Sequence, residues 1–139
     1  MQYDKIKIYS DGGARGNPGP AACGVVIKDF SNNIISQHAR YLGKTTNNQA
    51  EYGGVLLGLE EAKKLGAKEI NFFLDSELVV NQLSQKFKVK NLEIQTMFVK
   101  IWNLGVNFDK IKYQHIPREE NKAADRLVNE ELDKSKIKN

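Results

Sequence analysis

Cysteine is almost missing. Cys23 stands alone among 139 residues, so no internal disulfide can form, and no Cys/His cluster has the spacing of a zinc site. Long apolar runs are missing too. None approaches the ~20 residues that a helix needs to cross a bilayer, and Met1 to Tyr9 lacks the apolar centre of a signal peptide. A soluble, cytoplasmic protein is expected. Internal repeats, low-complexity blocks and linkers are also absent, so residues 1–139 read as a single domain. No Gly-x-Gly-x-x-Gly, no Gly-x-x-x-x-Gly-Lys-Ser/Thr, no His-Glu-x-x-His and no Gly-x-Ser-x-Gly occurs. The missing phosphate loops argue against a small-molecule phosphotransferase.

What is present suits one globular core. Hydrophobic residues make up 40% and charged residues 27%, and a chain of this length buries roughly two-thirds of the surface it exposes unfolded. The net charge of +4 leans gently towards a polyanionic partner.

Met1 to Ser10 reads as a strand, with Ile6 and Ile8 on one face. A glycine-rich stretch from Asp11 to Pro20 follows, then a strand centred on Gly24-Val25-Val26-Ile27, then a turn and a third strand from Ile34 to Leu42. Thr46 and Gln49 make a capping-box pattern ahead of a helix marked by Tyr52, Val55, Leu56, Leu59 and Ala62, stopped at Gly66. Gly53, Gly54 and Gly58 in that helix point to close packing on a sheet. Ile70 to Leu74 is a dense strand, and Leu78 to Leu83 a short helix. After the basic connection Lys86-Phe87-Lys88-Val89-Lys90 comes a helix with the stripe Ile94, Met97, Phe98, Ile101 and Trp102, Trp102 being expected in the core. A strand from Lys110 to Ile116 and a helix from about Glu119 to Leu132 complete the pattern, with residues 134–139 expected to fray. The order β-β-β-α-β-α-α-β-α implies an α/β fold with one mixed sheet, antiparallel first and parallel later, flanked by helices.

Four carboxylates stand at element boundaries. Asp11 is expected to end the first strand and Asp75 ends the most apolar one; Glu51 lies in the first turns of the long helix and Asp125 on the last helix among Ala123, Ala124 and Leu127. A carboxylate at the edge of a buried strand needs a cation or donors. Four oxygen donors without His or Cys suit Mg²⁺ or Mn²⁺. Taken singly, an Asp at a strand end is a common turn residue. The four gain weight only when something ties them together in space.

Asp11-Gly12-Gly13-Ala14-Arg15-Gly16-Asn17-Pro18-Gly19-Pro20, Thr45-Thr46-Asn47-Asn48-Gln49-Ala50-Glu51, Asp75-Ser76 and Asn121-Lys122-Ala123-Ala124-Asp125, in that order, resemble type 1 ribonuclease H. The resemblance spans nearly the whole chain. It implies a five-stranded ribonuclease H-like fold and a sequence-nonspecific endonuclease that hydrolyses the RNA strand of RNA/DNA hybrids. It implies two divalent ions, Mg²⁺ or Mn²⁺, held by Asp11, Glu51, Asp75 and Asp125, and products with 5′-phosphate and 3′-hydroxyl ends. It also implies that Asn17, Asn47 and Asn48 touch the substrate in the minor groove, that Thr46 meets a DNA phosphate, and that Gly12 allows close backbone approach. Amides that both donate and accept read 2′-hydroxyls without regard to sequence. Double-stranded RNA as a second substrate, and a silent nucleic-acid-binding module on the same fold, stay open as alternatives. A monomer is expected.

Two departures from the family pattern stand out. Family members often carry a histidine in a flexible loop before the final aspartate; here His115 reads as a strand residue without that role, and Arg118 stands in the loop, either to meet phosphate or as a solvated loop charge. Many members also insert a basic, Trp-rich helix after the third motif; here Lys86, Lys88 and Lys90 with Phe87 take its place, either a solvated connector or a contact to the hybrid.

Overall fold

The computed structural model describes residues 3–86 and 88–138, and for Ile137 and Lys138 the backbone alone. Met1 and Gln2 of the expected first strand, Phe87 of the basic connection and Asn139 of the tail lie outside the described residues. The elements follow the expected order: β1 (Lys5–Ala14), β2 (Gly19–Lys28), β3 (Ile34–Thr45), α1 (Asn47–Lys64), β4 (Glu69–Leu74), α2 (Glu77–Leu83), α3 (Leu92–Gly105), β5 (Lys110–His115), a 3₁₀ turn η1 (Arg118–Glu120) and α4 (Lys122–Lys138). The strands form one sheet in the order β3-β2-β1-β4-β5. β1 pairs antiparallel with β2 and parallel with β4, and β4 pairs parallel with β5. Each parallel pair is joined through helices, as parallel strands require.

The main core lies between the sheet and α1, α2 and α3. Ile6, Ile8, Val25 and Phe72 meet Tyr52, Val55 and Leu59 there without solvent contact. The helical glycines face the sheet as expected: a Cβ on Gly58 would stand 2.9 Å from the Phe72 ring. A smaller core of Ala22, Val128 and Leu132 holds α4 to the other face. Thr46 and Gln49 form the capping box at the start of α1, satisfying two otherwise orphaned amides.

Three readings need correction. β1 does not stop at Ser10 but runs to Ala14, because Gly12 and Gly13 keep pairing with Cys23 and Ala22 of β2. The final helix runs on to Lys138 instead of ending near Leu132; within it the Ser135 hydroxyl donates to the Glu131 carbonyl. Trp102 is not core. It is 54% exposed and stacks on Phe98, because α3 buries Ile94 and Ile101 and Trp102 lies about 100° around the helix from Ile101.

Candidate active site

The parallel pairing of β1 with β4 stops at Tyr9 opposite Phe73, while β1 stays paired with β2 as far as Ala14. β1 thus projects past β4. Asp11 lies two residues beyond Tyr9 and Asp75 two beyond Phe73, so both carboxylates emerge where the strands part company. Asp11 is therefore inside a strand, opposite Gly24, and not at its end.

Glu51 reaches the same point from α1. It can do so because α1 presses against β1 at Gly12, where a Cβ would fall 2.1 Å from the Ala50 carbonyl oxygen and 2.5 Å from the Glu51 nitrogen. The missing side chain of Gly12 is thus explained by helix packing. On the opposite face Gly24 does the same for α4, since a Cβ there would lie 2.7 Å from the Ala124 carbonyl oxygen. Two helices converge on Asp11, one on each side of the sheet.

Oxygens of Asp11, Glu51 and Asp75 lie within 4.8 Å of one another. Asp11 and Glu51 are 7% and 8% exposed. Burial pushes the Asp11 carboxyl up to about 7, the hydrogen bond from Glu51 works against that, and the Asp75 and Asp125 carboxylates add to it. Burial raises Glu51 well above the ordinary range, helped by the charge of Asp11 and by the hydrogen bond it donates there. The buried Glu51 Oε2 has no hydrogen-bond partner. A buried glutamate with an unpartnered oxygen, grouped with two further carboxylates and with no sulfur or imidazole among the donors, fits a hard divalent cation.

Asp125 stands slightly apart. It lines the same cleft, of about 490 Å³, but is not one of the three convergent groups. Its side chain is 35% exposed and lies 3.9 Å from the exposed Arg118 guanidinium. Asn47, Gly12 and Arg118 also line the cleft, whereas Asn17, Thr46 and Asn48 do not. The Asn47 amide N–H donates to Asn17 Oδ1 at 3.0 Å, and Asn47 Oδ1 accepts from the Ala14 amide at 2.8 Å. These bonds lash the glycine-rich turn to the start of α1. His115 is the last residue of β5 and does not line the cleft, nor do Lys86, Lys88 and Lys90.

Sequence reasoning gave Asn121 no role of its own. It is 2% exposed, and its Nδ2 donates to the Ser10 carbonyl at 2.8 Å and to Asp75 Oδ2 at 3.0 Å. Its carbonyl receives the Asp125 amide at 3.1 Å, so one residue ties β1, Asp75 and the start of α4. An asparagine just before a helix reads as an ordinary cap, which hides this use. Asn129, one turn beyond Asp125, lines the cleft as well and was likewise not singled out.

The chain matches a family model described as Reverse transcriptase-like over residues 9–131. It is 43% identical over 131 residues to a bifunctional protein of Mycobacterium tuberculosis, covering 93% of this chain and 36% of that protein. The chain therefore spans about a third of the length of that relative. The solved N-terminal RNase H domain from a Mycobacterium tuberculosis protein, fused to maltose-binding protein, superposes with a TM-score of 0.93 at 40% identity, covering 97% of this chain and 98% of that one. A ribonuclease H1 designated LC11, solved in complex with an RNA/DNA hybrid, superposes with a TM-score of 0.90 at 43% identity, covering 94% and 98%. The order of strands, the carboxylates where β1 and β4 part, and these matches across nearly the whole chain agree: it belongs to the type 1 ribonuclease H family.

Proposed function

We propose that this chain is an endoribonuclease that hydrolyses the RNA strand of RNA/DNA hybrids without regard to sequence, leaving 5′-phosphate and 3′-hydroxyl ends. The observation that carries the reading is the convergence of Asp11, Glu51 and Asp75 within 4.8 Å, one of the Glu51 oxygens being buried without a hydrogen-bond partner. The related ribonuclease H1 solved with a hybrid supports the choice of substrate. Asp11, Glu51, Asp75 and Asp125 would hold two Mg²⁺ or Mn²⁺ ions, which when bound would supply positive charge for the scissile phosphate and acidity for the attacking water.

The chain's own groups fix everything around that chemistry. Asp11 is held by the strand pairing of β1, and Asp75 by the amide of Asn121. Asp125, partly exposed in the cleft, is the ligand nearer the attacking water in this reading. Arg118 pairs with Asp125 and gives the acidic cleft a cation for the phosphate backbone. Asn17, Asn47, Asn48 and the backbone at Gly12 meet the hybrid in its minor groove, and Thr46 meets a phosphate of the DNA strand. In this reading residues 1–139 form one catalytic domain that works as a monomer in the cytoplasm. Among the described residues no helix is long and apolar enough to cross a membrane.

The test is cleavage of one end-labelled RNA strand, presented paired with DNA, paired with RNA, and alone, with Mg²⁺, Mn²⁺ or a chelator. Internal cuts confined to the hybrid and lost with the chelator are expected. Cuts in both duplexes would widen the substrate to double-stranded RNA. No cleavage with any metal, with hybrid binding retained, would overturn the enzyme reading. Asp75→Asn should abolish cleavage and leave hybrid binding near intact.

A further inference from the structure

One face of the sheet is only partly covered. α4 packs chiefly on β1, β2 and β3, which leaves β4, β5 and the first half of β1 open on that side. Strand alternation and register place the side chains there in rows about 7 Å apart. Tyr9, Phe73 and Gln114 form one row. Lys7, Asn71 and Lys112 form the next, with Lys28 of β2 beside Lys7. Lys110 follows, beyond Glu69, which is paired with Lys5 at 3.5 Å. Val26 of β2 continues the aromatic row but is fully buried, and no aliphatic side chain of β1, β4 or β5 lies within these rows.

The aromatic pair is ordered. The Tyr9 and Phe73 rings stack at 4.8 Å between centroids with 18° between planes, and Lys28 Nζ sits 5.0 Å from the Tyr9 centroid. Among the described residues Lys7, Lys28, Lys110 and Lys112 form no salt bridge. Lys7 donates instead to Asn32 Oδ1 and lies over the Phe30 ring. Acidic groups near this patch include Glu69, already paired, Asp29, whose carboxylate feels the charge of Lys7, and Glu120, whose charge adds to burial in raising the Tyr9 hydroxyl.

We propose that this open face is a second nucleic-acid surface, separate from the acidic cleft, that binds a single strand. Phe73, backed by the Tyr9 ring, takes a base by stacking, Asn71 and Gln114 meet base edges, and Lys7, Lys28, Lys110 and Lys112 meet phosphates. An acidic peptide would use the lysines and leave the rings and amides idle. A duplex would hide its bases from the rings. A single strand uses all three kinds of group, and its charge is complementary to the face.

The measurement is fluorescence anisotropy of a labelled oligouridylate titrated with the whole chain in EDTA, so that no cleavage intervenes. Saturable binding is expected. Lys7→Glu with Lys112→Glu should weaken it at least about tenfold and flatten its log–log salt slope by roughly 1.4, the share of two phosphate contacts on a single strand. Phe73→Leu should weaken it by about tenfold through lost stacking, with little change in salt slope. Asp75→Asn, in the cleft, should leave it unchanged. Absence of saturable binding up to ~100 µM, or binding that charge reversal does not weaken, would overturn the proposal. So would complete displacement by excess hybrid, which would assign the strand to the cleft. Lys28→Glu with Lys110→Glu repeats the test if the first pair lowers the melting temperature. Hybrid cleavage by the reversed variants should stay near the wild-type rate, and loss of the ribonuclease reading would leave this binding result standing.

Discussion

Replacing Asp11 by Asn should make the metal-free protein more stable, and only in a defined pH window. The Asp11 carboxyl lies at about 7 in the folded chain against 3.8 for the ordinary group, chiefly because it is buried. Below 3.8 both folded and unfolded chains carry the proton, and the group contributes nothing. Between 3.8 and about 7 the folded state binds more protons than the unfolded one, so stability falls as pH rises. The span amounts to about 4 kcal/mol, reached in full above pH 7. Part of it belongs jointly to Glu51 and Asp75, so a gain of about 2–4 kcal/mol is expected for Asp11→Asn in EDTA at pH 8, or roughly 6–12 °C in melting temperature. The gain should shrink steadily towards pH 4. Saturating Mg²⁺ should raise the wild-type transition and narrow the gap, because a cation that binds only the folded state stabilises it. Thermal melts of both proteins across this pH range, with and without metal, decide the matter. A difference that is the same at pH 4.5 and pH 8, or absent in EDTA, would refute the account of a strained acidic cluster.

Gly12→Ala should cost about 3 kcal/mol or more, since the new methyl meets backbone of α1 and not a movable side chain; urea melts that match wild type would contradict the packing argument. Asn121→Ala should cost about 1–3 kcal/mol for the lost buried donor. It should also raise the Mg²⁺ concentration needed for half-maximal cleavage by roughly 10–100-fold, with calorimetric Mg²⁺ binding weakened in parallel; unchanged metal dependence would leave Asn121 a purely structural residue. Thr46→Ala should lower stability by about 1 kcal/mol through loss of the cap, and Thr46→Ser should restore it, as read by chemical denaturation.

The element order is legible because each element is locally consistent. Thr46 and Gln49 announce a helix start with their own hydrogen bonds, and the run Ile70 to Leu74 alternates core and sheet-face positions in a strand too short and dense to be anything else. Asp11, Glu51 and Asp75 are legible as separate boundary residues, and the family resemblance groups them. Their closeness depends on where β1 outruns β4, which is a property of pairing and not of either segment. For the same reason the reach of β1 to Ala14 is hidden. Glycines look like loop until a partner strand and a helix claim them. Asn121 is masked by its resemblance to a cap, and Trp102 by its apolarity, which says nothing about whether a neighbour covers it.

The approach of α1 at Gly12 and of α4 at Gly24 has a bearing on how the protein ages under heat. Backbone presses on both faces of β1 beside Asp11, so neither helix can slide without parting from the middle strand of the sheet. Local opening that would blur the cleft while sparing the rest is costly in such an arrangement. Inactivation on warming should therefore track loss of the whole fold, with no stretch of temperature in which the protein is intact but idle. Amide exchange in β1 should be as slow as anywhere in the molecule.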